Sequence, residues 1–217
     1  KHRDVTTFFH EFGHAIHALF GATTIAGFSG TRVKTDFVEL PSQMLEEWMY
    51  DPAMLKMVSR HYRTGEPLPD STIEQIRAAR CVDQGDWIVR QVSYALLSLG
   101  VYAEGAQKDI EALKKTIRER CRFYIVPVVE HGECSFGHLT GYGALYYSYL
   151  WSKVFALDLF AKINAEGLIN PAAGVRYAQA ILAPGGSRDP EDMLREYLGR
   201  DPHSDAFFSA LGITEAA

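Results

Sequence analysis

Two histidines and a glutamate, His10-Glu11-Phe12-Gly13-His14, sit inside an apolar-periodic run from Val5 to Phe20 that stops at Gly21. The run predicts a helix with the glycine as its C-cap. A helix brings residues four apart onto one face, so both imidazoles can point at a single cation. Glu11 lies about 100° round the helix from His10 and cannot be the same kind of ligand. It is placed instead to hold a water on the open side of the ion and take its proton. That is the mechanical content of the H-E-x-x-H pentapeptide on a helix. The competing account is a solvent-facing helix carrying two histidines and an acid, and the apolar flanks speak against it.

A catalytic zinc takes three protein ligands and leaves the fourth place to water. The metzincin pattern would put a third histidine six residues beyond His14, but that position is Phe20. A glutamate on a following helix is the alternative. Glu39, 25 residues after His14, is the best candidate, and Glu46 and Glu47 lie further along the same segment. Glu46 shares a helix face with Glu39. It suits the task of orienting the other nitrogen of a histidine, and its bland account is a solvated surface acid. His17 reads as a packed or orienting histidine rather than a ligand.

The rest of the chain reads as mainly helical. Helices are expected over about 37–49, 52–61, 71–80, 86–103, 106–120, 144–166, 171–182, 190–198 and 204–211. Asp36 followed three residues later by Glu39 resembles a capping box, and Pro41 falls in a first turn where proline costs least. The Thr-, Gly- and Ile-rich stretch 22–33 predicts one or two short extended segments, a small β element between the two helices that carry the ligands. Glycines at 132, 137, 141 and 143 and Pro127 break the pattern over 124–143.

With 47% apolar and 23% charged residues the chain suits a soluble globular protein. A net charge of −5 with no dominant basic face argues against nucleic acid as a partner. No apolar run approaches the roughly 20 residues of a membrane helix, so no membrane partner is expected. Three cysteines cannot all pair, which points to free thiols in a reducing compartment. The chain opens on Lys1, nine residues before the first motif histidine. A motif helix needs more to pack against, so a piece of a longer protein is expected.

Beyond the pentapeptide, the segments FSGT (28–31), DFVELPSQMLEEW (36–48), RHYRTG (60–65), FGHLTGYGALYYSYLWSKVFALDLF (136–160) and ILAPGGSRDPEDMLREYLGRDP (181–202) resemble, in order and over nearly the whole chain, the thimet oligopeptidase family, peptidase family M3. GTRVKTDF and GYGALYYSYL are closer to its mitochondrial intermediate peptidase branch, and PSQMLEEW and LGRDP to its oligopeptidase branch. The loop from His138 carries one glycine fewer than the oligopeptidase form.

The resemblance implies a single catalytic domain over 1–217, helical and zincin-type, forming the C-terminal part of a longer oligopeptidase. It implies one Zn²⁺ per chain on His10, His14 and Glu39, with Glu11 as general base. Tyr149 falls on the oxyanion-stabilising tyrosine, assisted by His138, and Tyr142 and Tyr146 fall on substrate-binding positions. Taken alone, residues 142, 146 and 149 read as the buried stripe of a helix, and Tyr147 reads as a packing residue. The implied reaction is hydrolysis of internal bonds in short peptides. The alternatives are a peptidyl-dipeptidase, for which Arg32 and Arg60 are the candidate carboxylate-binding cations, and a catalytically weak zinc-binding fragment. The implied partners are short peptides and the channel-forming N-terminal half of the parent chain. The implied compartment is the cytoplasm, or the mitochondrial matrix if a targeting segment has been removed.

Overall fold

A computed structural model describes residues 1–121 and 131–213. Its helices are α1 (His2–Phe20), α2 (Thr35–Val38), α3 (Leu40–Glu46), α4 (Pro52–Val58), α5 (Asp70–Arg80), α6 (Gln84–Val101), α7 (Ile110–Cys121), α8 (His138–Gly141), α9 (Ser148–Glu166), α10 (Pro171–Tyr177), α11 (Pro190–Leu198) and α12 (Asp205–Ala210). They fall into two compact units, one of residues 1–82 with 151–217 and the other of 83–150. Among the described residues no helix is long and apolar enough to cross a membrane. Cys81, Cys121 and Cys134 are all free.

Local chemistry explains where the first unit's helices begin. Three of them open on an Asp- or Asn-Pro pair. Asp51 accepts from the Met54 amide, Asn170 from those of Ala172 and Ala173, and Asp189 from that of Glu191. The proline in each case stands where its missing N–H costs nothing. α11 stops at Gly199, whose φ of 75° gives the left-handed cap. α10 runs on into a π-helical turn, Ala178–Leu182, so the helical path reaches the expected residue 182.

The core of this unit gathers Phe37, Leu40 and Met44 with Ala156, Leu159, Ile163, Ile181, Leu182, Met193 and Leu194. Each large side chain buried there contributes roughly 1.5–3 kcal/mol. An ion pair with a buried carboxylate and an exposed guanidinium sits beside it. The Asp158 carboxylate accepts from both Nη atoms of Arg200, at 2.9 and 2.5 Å, and from the His203 amide at 3.1 Å. Burial alone would raise the Asp158 carboxyl, but Arg200 and His203 outweigh it and hold it below its ordinary value.

Several expectations from the sequence differ from the structure. The small β element over 22–33 is absent: the segment holds a 3₁₀ turn, Ala26–Phe28, and no strand occurs among the described residues. The reason lies in where its backbone groups go. The Ala22 amide donates to the Ala183 carbonyl, and the segment lies directly against the Gly185-Gly186 turn. A Cβ on Gly185 would stand 2.1 Å from the Phe28 carbonyl oxygen, and one on Gly186 would stand 2.2 Å from that of Arg32. Loop-to-loop contact replaces ladder pairing. The helix expected from Phe37 is also broken. α2 ends before Glu39, α3 starts at Leu40 with Pro41 in its first turn, and a 3₁₀ turn follows over Glu47–Tyr50. Lys34, not Asp36, is the N-cap of α2, so the capping box does not form.

α1 also approaches α3 backbone to backbone. A Cβ on Gly13 would lie 2.5 Å from the Ser42 Cα and 2.9 Å from the Pro41 carbonyl oxygen. Backbone atoms cannot step aside as a side chain can, so only glycine fits.

In the second unit α6 and α7 pack together, with Leu97 and Ile117 buried. A Cβ on Gly100 would meet the Leu113 side chain at 2.7 Å. Ser98 donates to the Gly143 carbonyl at 2.6 Å, and Gly143 has a φ of 58°. That left-handed turn delays α9 to Ser148, four residues later than the periodicity predicts.

Two stability tests follow from these contacts. Gly13→Ala is expected to cost about 2 kcal/mol or more by overpacking, read from urea unfolding. Asp158→Asn is expected to cost about 1.5–3 kcal/mol near pH 7 through weakened charge-assisted hydrogen bonds. Because the Asp158 pKa is depressed, the pair stabilises in full above the unfolded value of about 3.9 and is lost as pH falls through the lower folded value. The difference between wild type and Asp158→Asn should therefore shrink below about pH 4.

Candidate metal centre

His10 and Gly13 of α1 face α3, and Glu39, the residue between α2 and α3, meets His10 and His14. Among the described residues, the ligand atoms of His10, His14 and Glu39 all lie within 4.8 Å of one another. The Oε2 atom of Glu39 stands 3.3 Å from His10 Nε2 and 3.3 Å from His14 Nε2. A charge-assisted hydrogen bond would close to about 2.7–2.9 Å. By contrast, donors each bound at about 2.0–2.1 Å to one tetrahedral ion stand about 3.3–3.4 Å apart. Both edges match that spacing, and two neutral nitrogen donors with one carboxylate suit zinc. Glu39 is buried, and its other neighbour is Ser42, whose hydroxyl reaches Oε2 at 3.2 Å.

The charges around the cluster are those of a cation site. Burial alone would lower the His10 imidazolium, but Glu39 and Glu46 outweigh it and raise its pKa to about 9. Burial would raise Glu39, but His10 and His14 pull it down to about 2. A surplus of negative charge that holds a proton here also holds a metal in its place, and the two compete.

Glu46 meets the other edge of His10, its Oε1 2.6 Å from Nδ1. An Nδ1–H donated to Glu46 leaves the Nε2 lone pair facing Glu39. The acid considered as a third ligand thus stands behind the histidine, not beside the cluster. Glu47 is buried and turned away, paired with Arg80 at 2.7 Å and Lys153 at 2.8 Å. His17 is fully buried and lies outside the ligand group. Burial, then the charge of His14, lowers its pKa to about 4. Glu11 is exposed on the solvent side of α1, and its carboxylate has no hydrogen-bond or ion-pair partner among the described residues.

The second unit assembles the other candidates. His138 opens α8, Tyr142 caps it, and Tyr149 lies in the first turn of α9. His138 Nε2 is 3.2 Å from the Tyr149 hydroxyl, and the rings of Tyr142 and Tyr149 stack at 5.5 Å. These residues do not share one helical stripe. The turn at Gly143 gathers them from three local pieces. Tyr146 is buried beneath them against Tyr94 and Phe136, its hydroxyl donating to Gln91 Oε1 at 2.9 Å. Tyr147, read from sequence as the packing residue, is the more exposed of that pair. Of the candidate carboxylate-binding cations, Arg60 donates to the Lys56 and Ser59 carbonyls at the end of α4, and Arg32 is exposed.

The family model for peptidase family M3 matches residues 1–213. The chain belongs to peptidase family M3. It is 37% identical to oligopeptidase A of Escherichia coli (strain K12) over 98% of its length, covering 32% of that protein. It is 36% identical to saccharolysin of Saccharomyces cerevisiae over 98% of its length, covering 31%. Against human mitochondrial intermediate peptidase it is 36% identical over 94% of its length, covering 29%. The chain therefore spans about a third of the length of these curated relatives. Both branches seen in its motifs are represented among them.

Sequence reasoning missed Lys153 and Arg80, and it missed the reason for Gly13. The available signal was a lone lysine within the apolar run LWSKVFALDLF. Tyr146→Phe leaves Gln91 without its donor and is expected to cost about 1 kcal/mol in urea unfolding.

Proposed function

We propose that this chain is the zinc-bearing catalytic part of a metallopeptidase that hydrolyses internal bonds of short peptides. The observation that carries this is the pair of 3.3 Å edges from Glu39 Oε2 to the two motif imidazoles, in a chain of peptidase family M3. His10, His14 and Glu39 would hold the ion. Bound there, zinc supplies Lewis acidity toward the scissile carbonyl and lowers the pKa of its water to about 7.

The protein groups carry the proton and orient the charge. Glu11, exposed and unengaged, accepts a proton from the attacking water and returns it to the leaving amine. Glu46 holds the His10 ring so that Nε2 faces the ion. The Tyr149 hydroxyl donates to the developing oxyanion, and His138, 3.2 Å from it, orients that hydroxyl. Tyr142, stacked on Tyr149, offers a flat face and a second hydroxyl to the peptide. Tyr146, bonded to Gln91, serves as the floor on which these two rings rest.

Zinc binding by chelator competition and turnover of an internally quenched peptide with a blocked C-terminus test the proposal together. Glu11→Gln is expected to keep zinc while turnover falls roughly 10²–10⁴-fold; full activity would sink the general-base role. Glu39→Ala is expected to lose more zinc affinity than the 10–100-fold typical of an orienting partner; an unchanged affinity would remove Glu39 as a ligand. Cleavage of the blocked peptide fits an internal cut, whereas a requirement for a free C-terminus would mark a peptidyl-dipeptidase.

A further inference from the structure

Lys153 is the one cation in the apolar stretch LWSKVFALDLF of α9, and its ammonium group is nearly buried, the side chain 14% exposed. Placing an ammonium there is costly unless acceptors surround it. Three do, all from the end of α3 and the residue that follows. Nζ stands 2.8 Å from Glu47 Oε1, 3.4 Å from Glu46 Oε2 and 3.4 Å from the Gln43 carbonyl. Positions 43, 46 and 47 lie on one helical face, so the ammonium sits over the negative end of the helix whose start follows Glu39.

The two oxygens of Glu46 have divided duties. Oε1 meets His10 Nδ1 at 2.6 Å, and Oε2 faces Lys153. A carboxylate held by only one oxygen can swing about its terminal bond, whereas one facing partners on both sides is fixed in plane and direction. Glu47 does not need Lys153 for neutralisation, because Arg80 already grips both of its oxygens at 2.8 and 2.7 Å. Arg80 is itself seated over the Tyr50 ring at 4.2 Å. Glu46 has no cation besides Lys153 and His10 among the described residues.

We infer that Lys153 is a positioning residue for the metal centre, acting through Glu46 to fix the orientation and tautomer of His10. This rests on the proposed reading of His10 as a zinc ligand. The pair Lys153–Glu46 would then form the outer links of a chain that ends at the ion, with Glu47 and Arg80 anchoring the lysine.

The test is a double-mutant cycle read in zinc affinity by chelator competition, with metal-free thermal melts confirming that each protein is folded. Lys153→Met is expected to weaken zinc roughly tenfold and Glu46→Gln 10–100-fold. Adding Lys153→Met to Glu46→Gln should cost less than about twofold more, since the link is already cut. Lys153→Arg, which keeps the charge and the reach, should restore most of the affinity. If Lys153→Met does not fold, Lys153→Gln enters the same cycle. Wild-type affinity in the Lys153 variant overturns the inference. So does an equal loss in the presence and absence of Glu46, which would make the lysine a support for Glu47 and the helix end alone. If the wild-type chain itself takes up no zinc, the metal reading falls and the inference with it. Zinc uptake by wild type without the coupling removes only the role of Lys153.

Discussion

The metal-centre geometry depends on how closely α1 approaches α3. The two backbones meet at Gly13, where no side chain intervenes and the Ser42 backbone fills the place of a Cβ. That approach sets the depth at which the His10 and His14 rings reach toward Glu39. A helix crossing held apart by even an alanine would lengthen both 3.3 Å edges together, because both imidazoles sit on the same rigid helix. The motif glycine is thus a geometric part of the site, though it offers no ligand atom.

Around that crossing the charges are arranged in opposed pairs. Glu39, Glu46 and Glu47 are drawn out of water on one short segment, a placement that self-repulsion and desolvation both oppose. Each has a compensating cation. Glu39 has the imidazole edge, where a metal ion fits. Glu46 has His10 and Lys153, and Glu47 has Arg80 and Lys153. The balance explains why a lysine points inward from the apolar run of α9. It also explains why His17, one turn from His14 but without any acid beside it, is held neutral and simply packs.

Glycine has a second use in this unit. The segment after α1 would suit a strand by composition, yet its backbone lies against the turn at Gly185 and Gly186, which approaches within the reach of a Cβ. In the other unit, Gly143 bends the chain so that His138, Tyr142 and Tyr149 come together from separate pieces above the buried Tyr146. In both places the backbone geometry of a glycine, and not the periodicity around it, decides which side chains meet.

Much of this was legible in the sequence because it rests on short-range rules. Helical periodicity located nearly every helix, prolines at 52, 171 and 190 marked three starts, and the spacing of His10 and His14 on one turn required a shared face. Glu39 could be nominated because zinc needs a third ligand and Phe20 denies it a third histidine. The roles of Glu39 as a ligand and Glu46 as a histidine-orienting acid could be nominated, but the pairing of Glu47 with Arg80 and the place of Lys153 between Glu46 and Glu47 could not be read, since acids on one segment differ only in what they face across the interior. That depends on partners 33 to 107 residues away in the chain, His10, Arg80 and Lys153. The sequence alone determined the family, the helical class and the chemistry on offer, because these follow from local spacing and residue type. Only the tertiary structure decided which cations the buried acids face, with Lys153 shared between Glu46 and Glu47 and Arg80 on Glu47, because those choices are made by contacts between segments distant in sequence.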